Sequence, residues 1–199
     1  MMKCKRYRNA VAPLIALCAF MVISANSAWA QVLQWQTILG IKESGDVVGV
    51  GSGAITGGAP WETLGGFAKV NLNSGRVKFD VDGLILAVGS VFELGGTDFS
   101  TPPSGFSGLP IGTPAGITAV KGTLVCNVTG DQGPTSVLVD TPVTTLDGQG
   151  NAHFKGSFAS GIPSQCSTNS ALDDAFLVRI GSGAFANAWI AFGAVLSVQ

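Results

Sequence analysis

Carboxylates paired on one side of an extended segment are the chemistry most open to this chain. Asp80 and Asp82 alternate with Val81, so a strand would place both on one face about 6.5 Å apart, a spacing compatible with acid/base work on a glycosidic bond. Arg76 and Lys78 continue that face, and a solvated charged surface is the simpler reading of all four. A second pair is Asp173-Asp174. His153 is the sole histidine, so a His-rich metal centre is excluded and any Ser/His/Asp triad must use it. It falls on the wet side of an alternating segment beside Asn151 and Lys155, the placement of an exposed histidine. Trp61, in Pro60-Trp61-Glu62, is the aromatic best placed for ligand contact, with core packing as its simpler role. Trp61, Asp80 and Asp82 are therefore the candidate ligand contacts, and no catalytic set, metal site or cofactor is assigned.

Other motifs are incomplete. Gly49-Val50-Gly51-Ser52-Gly53-Ala54 mimics a dinucleotide fingerprint, but Gly57-Gly58-Ala59-Pro60 would break the helix that must receive the pyrophosphate. Asp147-Gly148-Gln149-Gly150-Asn151 is too poor in acidic ligands for an EF-hand loop and reads as a turn. Asn127-Val128-Thr129 is a formal glycosylation sequon. No GxSxG elbow, Walker loop, HExxH or CxxC occurs.

The elements that must position these residues are strands. Ala68, Val70 and Leu72 alternate with polar residues, Ser74-Gly75 turns the chain, and Val77, Phe79 and Val81 alternate again, the pattern of a hairpin with one buried and one wet face. Period two recurs at Val120, Gly122, Leu124 and Cys126, and at Ala152, Phe154, Gly156 and Phe158. Further strands are expected over 33–39, 47–55, 85–92, 136–139, 143–146, 176–180 and 188–198. Strong helix signals are missing, so the expected fold is all-β: an antiparallel β-sandwich or small barrel in a single domain over 31–199. Two irregular stretches interrupt it, Gly95–Gly116 and Gly161–Asp174.

Of 199 residues, 46% are hydrophobic and 12% charged, with 28 glycines and a mean hydropathy of +0.42, which excludes a disordered chain. Lys3, Lys5, Arg6 and Arg8 precede an apolar run from Val11 to Ile23, and Ala28-Trp29-Ala30 supplies small residues for cleavage, so 1–30 reads as a secretory signal cut before Gln31. The run is too short to span a membrane, and no stable span is expected after cleavage. The remaining chain carries seven basic and twelve acidic residues, a net charge of −5 that disfavours nucleic acid. Cys126 and Cys166 are left as a pair in an oxidising compartment, periplasmic or extracellular. Their disulfide would close a loop of roughly 40 residues and stabilise by about 4 kcal/mol.

The run Gly66-Phe67-Ala68-Lys69-Val70-Asn71-Leu72 through Val77-Lys78-Phe79-Asp80-Val81-Asp82-Gly83-Leu84 resembles the opening hairpin of the CHRD (chordin-type) family of exported β-sandwich modules. That resemblance implies a secreted interaction module without enzymatic activity. The family's His-Ile-His and Gly-Glu-Ile-Arg motifs have no counterpart here, so no functional residue is carried over. The expected function is a non-enzymatic exported protein that binds a protein or glycan partner or contributes to a surface layer. The alternatives are an eight-stranded outer-membrane barrel and a carbohydrate-binding or carbohydrate-active protein. Expression of the full chain in a Gram-negative host should yield a species beginning at Gln31 that gains two hydrogens on reduction; an uncut mass removes the signal reading.

Overall fold

The alternation between Gly65 and Asp82 forms the central hairpin, with Val70 opposite Val77 and Ala68 opposite Phe79. The structure, a computed structural model, describes residues 31–87, 110–166 and 173–199. The leader, the 85–92 strand beyond residue 87, the 95–109 part of the first irregular stretch and residues 167–172 of the second lie outside the described residues.

Thirteen strands occur in the described residues: β1 (Val32–Gly40), β2 (Val47–Val48), β3 (Ile55–Thr56), β4 (Trp61–Glu62), β5 (Gly65–Asn71), β6 (Arg76–Asp82), β7 (Ile85–Leu86), β8 (Ala119–Cys126), β9 (Val137–Asp140), β10 (Thr144–Thr145), β11 (Ala152–Ser157), β12 (Ala175–Ile180) and β13 (Trp189–Val198). Nine of them form one antiparallel sheet in the order β10-β8-β12-β13-β1-β5-β6-β11, with β9 beside β8. The ends of that path, β10 and β11, are consecutive in the chain, and the Thr144 hydroxyl donates to the His153 carbonyl at 2.9 Å. The sheet is thus curled into a half-barrel, the barrel form of the all-β expectation. The 47–55 segment departs from the expected single strand. Gly49 (φ +90°) and Gly51 (φ +61°) take left-handed backbone that β-branched residues avoid, and they fold it into a small β2/β3 hairpin. No helix follows the Gly49–Ala54 run, and no helix among the described residues is long and apolar enough to cross a membrane.

Aromatic side chains fill the interior of the curl. Phe79 on β6 and Phe176 on β12 stand on strands separated by β5, β1 and β13, yet their rings lie 5.6 Å apart. Trp35 reaches Phe176 at 5.6 Å and Phe154 stacks on Phe79 at 5.7 Å. Gly122 and Gly193 make this possible. A Cβ on Gly122 would sit 2.6 Å from the Phe176 ring, and one on Gly193 would sit 2.5 Å from Trp35. Cys126, closing β8, is bonded to Cys166 with Cα atoms 5.1 Å apart, as expected, and pins the second irregular stretch to the sheet. Gly122→Val should destabilise by about 1–3 kcal/mol through overpacking. Gly148→Ala, which meets open space, should stay within about 0.5 kcal/mol of wild type. Urea unfolding midpoints read both.

Candidate functional site: the outer face of β5, β6 and β11

Because β5, β6 and β11 bury Ala68, Val70, Val77, Phe79, Val81 and Ala152, their alternate residues turn outward. Antiparallel register then assembles cross-strand rows. Phe67, Asp80 and His153 form one row. Lys69, Lys78 and Lys155 form the next, and Asn71, Arg76 and Ser157 the one after. On the far side of Lys69 the lysine row continues through Gln34 of β1 to Ser197 of β13. Directly opposed residues bring their Cβ atoms to about 5 Å, and like charges in that position repel.

Asp80 is the organising acid of the face. One of its oxygens is hydrogen-bonded to the Nδ1 atom of His153, and the other lies 3.4 Å from the Lys78 ammonium, which also sits 4.6 Å above the Phe67 ring. His153 is exposed, as expected, with 60% of its side chain open to solvent. Its partnership with Asp80 escapes a reading of either segment alone. Asp82 lies on the same face, one strand pair further along, and is exposed. Trp61 does not join them. Its strand, β4, pairs with β7, its backbone N–H donates to the Ile41 carbonyl at 2.8 Å, and the indole is wholly buried. Of the two roles expected for this aromatic, core packing is the one the fold gives it, and the buried ring is not open to a ligand in solvent. Its Nε1 has no hydrogen-bond partner.

The face runs into a shallow groove of about 330 Å³ between the β5–β6 turn and the segment after β11, lined by Leu72–Gly75 and Ser157–Ile162. Ser157 belongs to both the groove and the Arg76 row. The lining offers hydroxyl, amide and apolar surface and no titratable side chain.

Three other polar clusters are accounted for by structure. Asp140 accepts from Lys121 (2.6 Å), Thr123 (2.7 Å) and Arg179 (3.1 Å). Burial alone would raise its carboxyl, but the donors and the two cationic charges outweigh burial and hold it below the ordinary carboxylate range. Asp147 accepts from the Gln149 and Asn151 N–H groups and from the Asn151 side chain, which makes it the keystone of a turn. Asn127 of the sequon is buried, its amide tying Gly133 and Thr135 into the following loop. Comparisons with protein-family models, curated proteins and solved structures found no match to the chain.

Asp173 and Asp174 are both buried behind the disulfide-bearing end of β8. Asp173 accepts from the Thr129 N–H at 2.7 Å, and one oxygen of each carboxyl lacks a partner. Burial raises the Asp174 carboxyl to about 7, with the Asp173 charge adding to it and the Asn127 N–H opposing. An acid with a raised folded pKa keeps a proton that the unfolded chain has released. Stability should therefore fall as pH rises from about 4 to about 7 and level off above, with a slope of at most about 1.4 kcal/mol per pH unit. Asp174→Asn should flatten that slope and stabilise the neutral-pH protein, as read by urea unfolding across the range.

Proposed function

We propose that the chain is an exported, non-enzymatic binding protein whose partner docks on the outer face of β5, β6 and β11. The observation that carries this reading is the concentration of charge there. Four of the seven basic residues of 31–199 stand on this face, Lys69, Arg76, Lys78 and Lys155, although the segment is net negative. Asp80, Asp82, His153, Asn71 and Ser157 add acceptors and donors, and Phe67 adds an apolar edge. Such a mixture suits the hydroxyls and ring faces of a glycan or the polar rim of a protein partner.

Two features favour binding over turnover. The Asp80–His153 pair lies on an open outward surface, whereas a base working on a nucleophile needs a third group in reach and water excluded. Asp80 is already engaged by His153 and Lys78 rather than facing a second carboxyl across a cleft. The outer-membrane barrel is disfavoured by polarity. A lipid-facing surface must be apolar, and here the outward rows of three adjacent strands carry Lys, Arg and Asp. The basic leader supports export, as does a disulfide that an oxidising compartment would preserve. The CHRD-like hairpin, which builds half of the face, agrees with an interaction module.

A glycan array probed with the protein should give hits that weaken when Phe67→Ser or Asp82→Asn is introduced, with no product released from any bound glycan. Hydrolysis abolished by Asp80→Asn or His153→Gln would replace this reading with an enzymatic one. Binding indifferent to every substitution on the face would move the site elsewhere.

A further inference from the structure

Like charges are set directly opposite one another across three neighbouring strands. Lys69, Lys78 and Lys155 occupy one row, an arrangement that costs stability in the free protein. The middle lysine is neutralised by Asp80 and lies over Phe67. The two flanking lysines are exposed, and among the described residues neither has an ion-pair partner. Arg76, one row away, is also without one. The three cations elsewhere are treated differently, since Lys121 and Arg179 are both satisfied by Asp140 and Lys42 is not free either. Unneutralised positive charge is thus gathered on this face.

We infer that the face binds an acidic polysaccharide, with Lys69 and Lys155 each meeting a carboxylate or sulfate of the sugar chain. The inference rests on the binding-face reading above and narrows it to one ligand class. Two strand spacings separate the flanking lysines, roughly 10 Å at the backbone. A neutralised position lies between them. That alternation suits an extended chain bearing an anion on every second sugar, with the intervening sugar meeting Lys78, Asp80 and Phe67. Gln34, Asn71 and Ser157 beside the row supply partners for hydroxyls. A nucleic-acid backbone fits less well. Its phosphates are closely and uniformly spaced, and Asp80 and Asp82 stand within the path they would follow. An anionic membrane would face the broad surface of a 31–199 segment whose net charge is −5, whereas a single extended chain meets the lysine row alone.

The test uses the full chain and oligosaccharides of hyaluronan, unsulfated chondroitin and heparosan, each with a carboxylate on every second sugar, with dextran as neutral control and duplex DNA and phosphatidylglycerol vesicles as competing polyanions. The expected result is binding to at least one acidic oligosaccharide, weakened by salt. Lys69→Gln with Lys155→Gln should weaken it at least tenfold, Lys69→Arg with Lys155→Arg should retain it, and Lys42→Gln, outside the face, should leave it unchanged. Thermal melts establish that the variants fold. Failure of every acidic oligosaccharide to bind overturns the inference, as does affinity indifferent to the double substitution, or DNA or vesicles binding as tightly. Neutral glycan binding that is lost in Phe67→Ser but kept in the double lysine variant would overturn the acidic ligand alone and leave the binding face standing.

Discussion

Contact between the Phe79 and Phe176 rings across the interior is the constraint from which the rest of the sheet takes its shape. The two residues can meet only if β6 and β12 curve toward one another around β5, β1 and β13, and only if β8 offers no side chain between them. Gly122 meets the second condition. Glycine inside a strand is otherwise unfavourable, since it adds backbone entropy and no packing. Here its missing Cβ exchanges that cost for the burial of two aromatic rings. Gly193 does the same for Trp35. A curl set by large inward residues also fixes which residues point outward, because the side-chain period of a strand is two and a one-residue slip would exchange the faces. The charged rows are therefore a consequence of the core.

Charges away from the outer face of β5, β6 and β11 show how the fold neutralises polar groups. Arg179 is almost wholly buried, and it is held by Asp140, by the Asn187 carbonyl at 2.9 Å and by Thr123, while Lys121 donates to both Asp140 and Asn187. Buried charge tolerates little less, because removing ions from water costs several kcal/mol each unless partners replace the lost hydration. Lys69 and Lys155 stand in water, where hydration is retained and no partner is required. Their exposure explains how the row can exist. It does not explain why three adjacent strands should each supply a lysine at the same level, when surface positions accept most polar residues at almost no cost.

Much of this arrangement is legible in the sequence, and the remainder is hidden for definite reasons. The Ser74-Gly75 turn sets Val70 against Val77, and the same count sets Lys69 against Lys78, so half of the lysine row is local information. Its other half depends on β11 pairing with β6, which joins residues some seventy positions apart with no turn to set the register. The Asp80–His153 partnership is hidden for the same reason. Trp61 keeps two roles open in the sequence because a two-residue strand flanked by Pro60 carries no period, and only the fold, where β4 pairs with Ile85–Leu86, encloses the indole. The 47–55 run misleads: its valines have strand propensity, but Gly49 and Gly51 let the backbone turn where the apolar pattern alone would run straight.

The hydrogen bond that joins the two ends of the sheet also ties the core to the face. The Thr144 hydroxyl on β10 donates to the carbonyl of His153, whose side chain pairs with Asp80, which in turn engages Lys78. One residue of β11 thus takes part in closing the curl through its backbone and in ordering the outward charges through its side chain. The seam consists of two-residue β10 and a side-chain hydrogen bond rather than a continuous ladder. Aromatic packing on the inside thus fixes the register of the charged rows outside, and a single side-chain hydrogen bond beside a two-residue strand completes the curl.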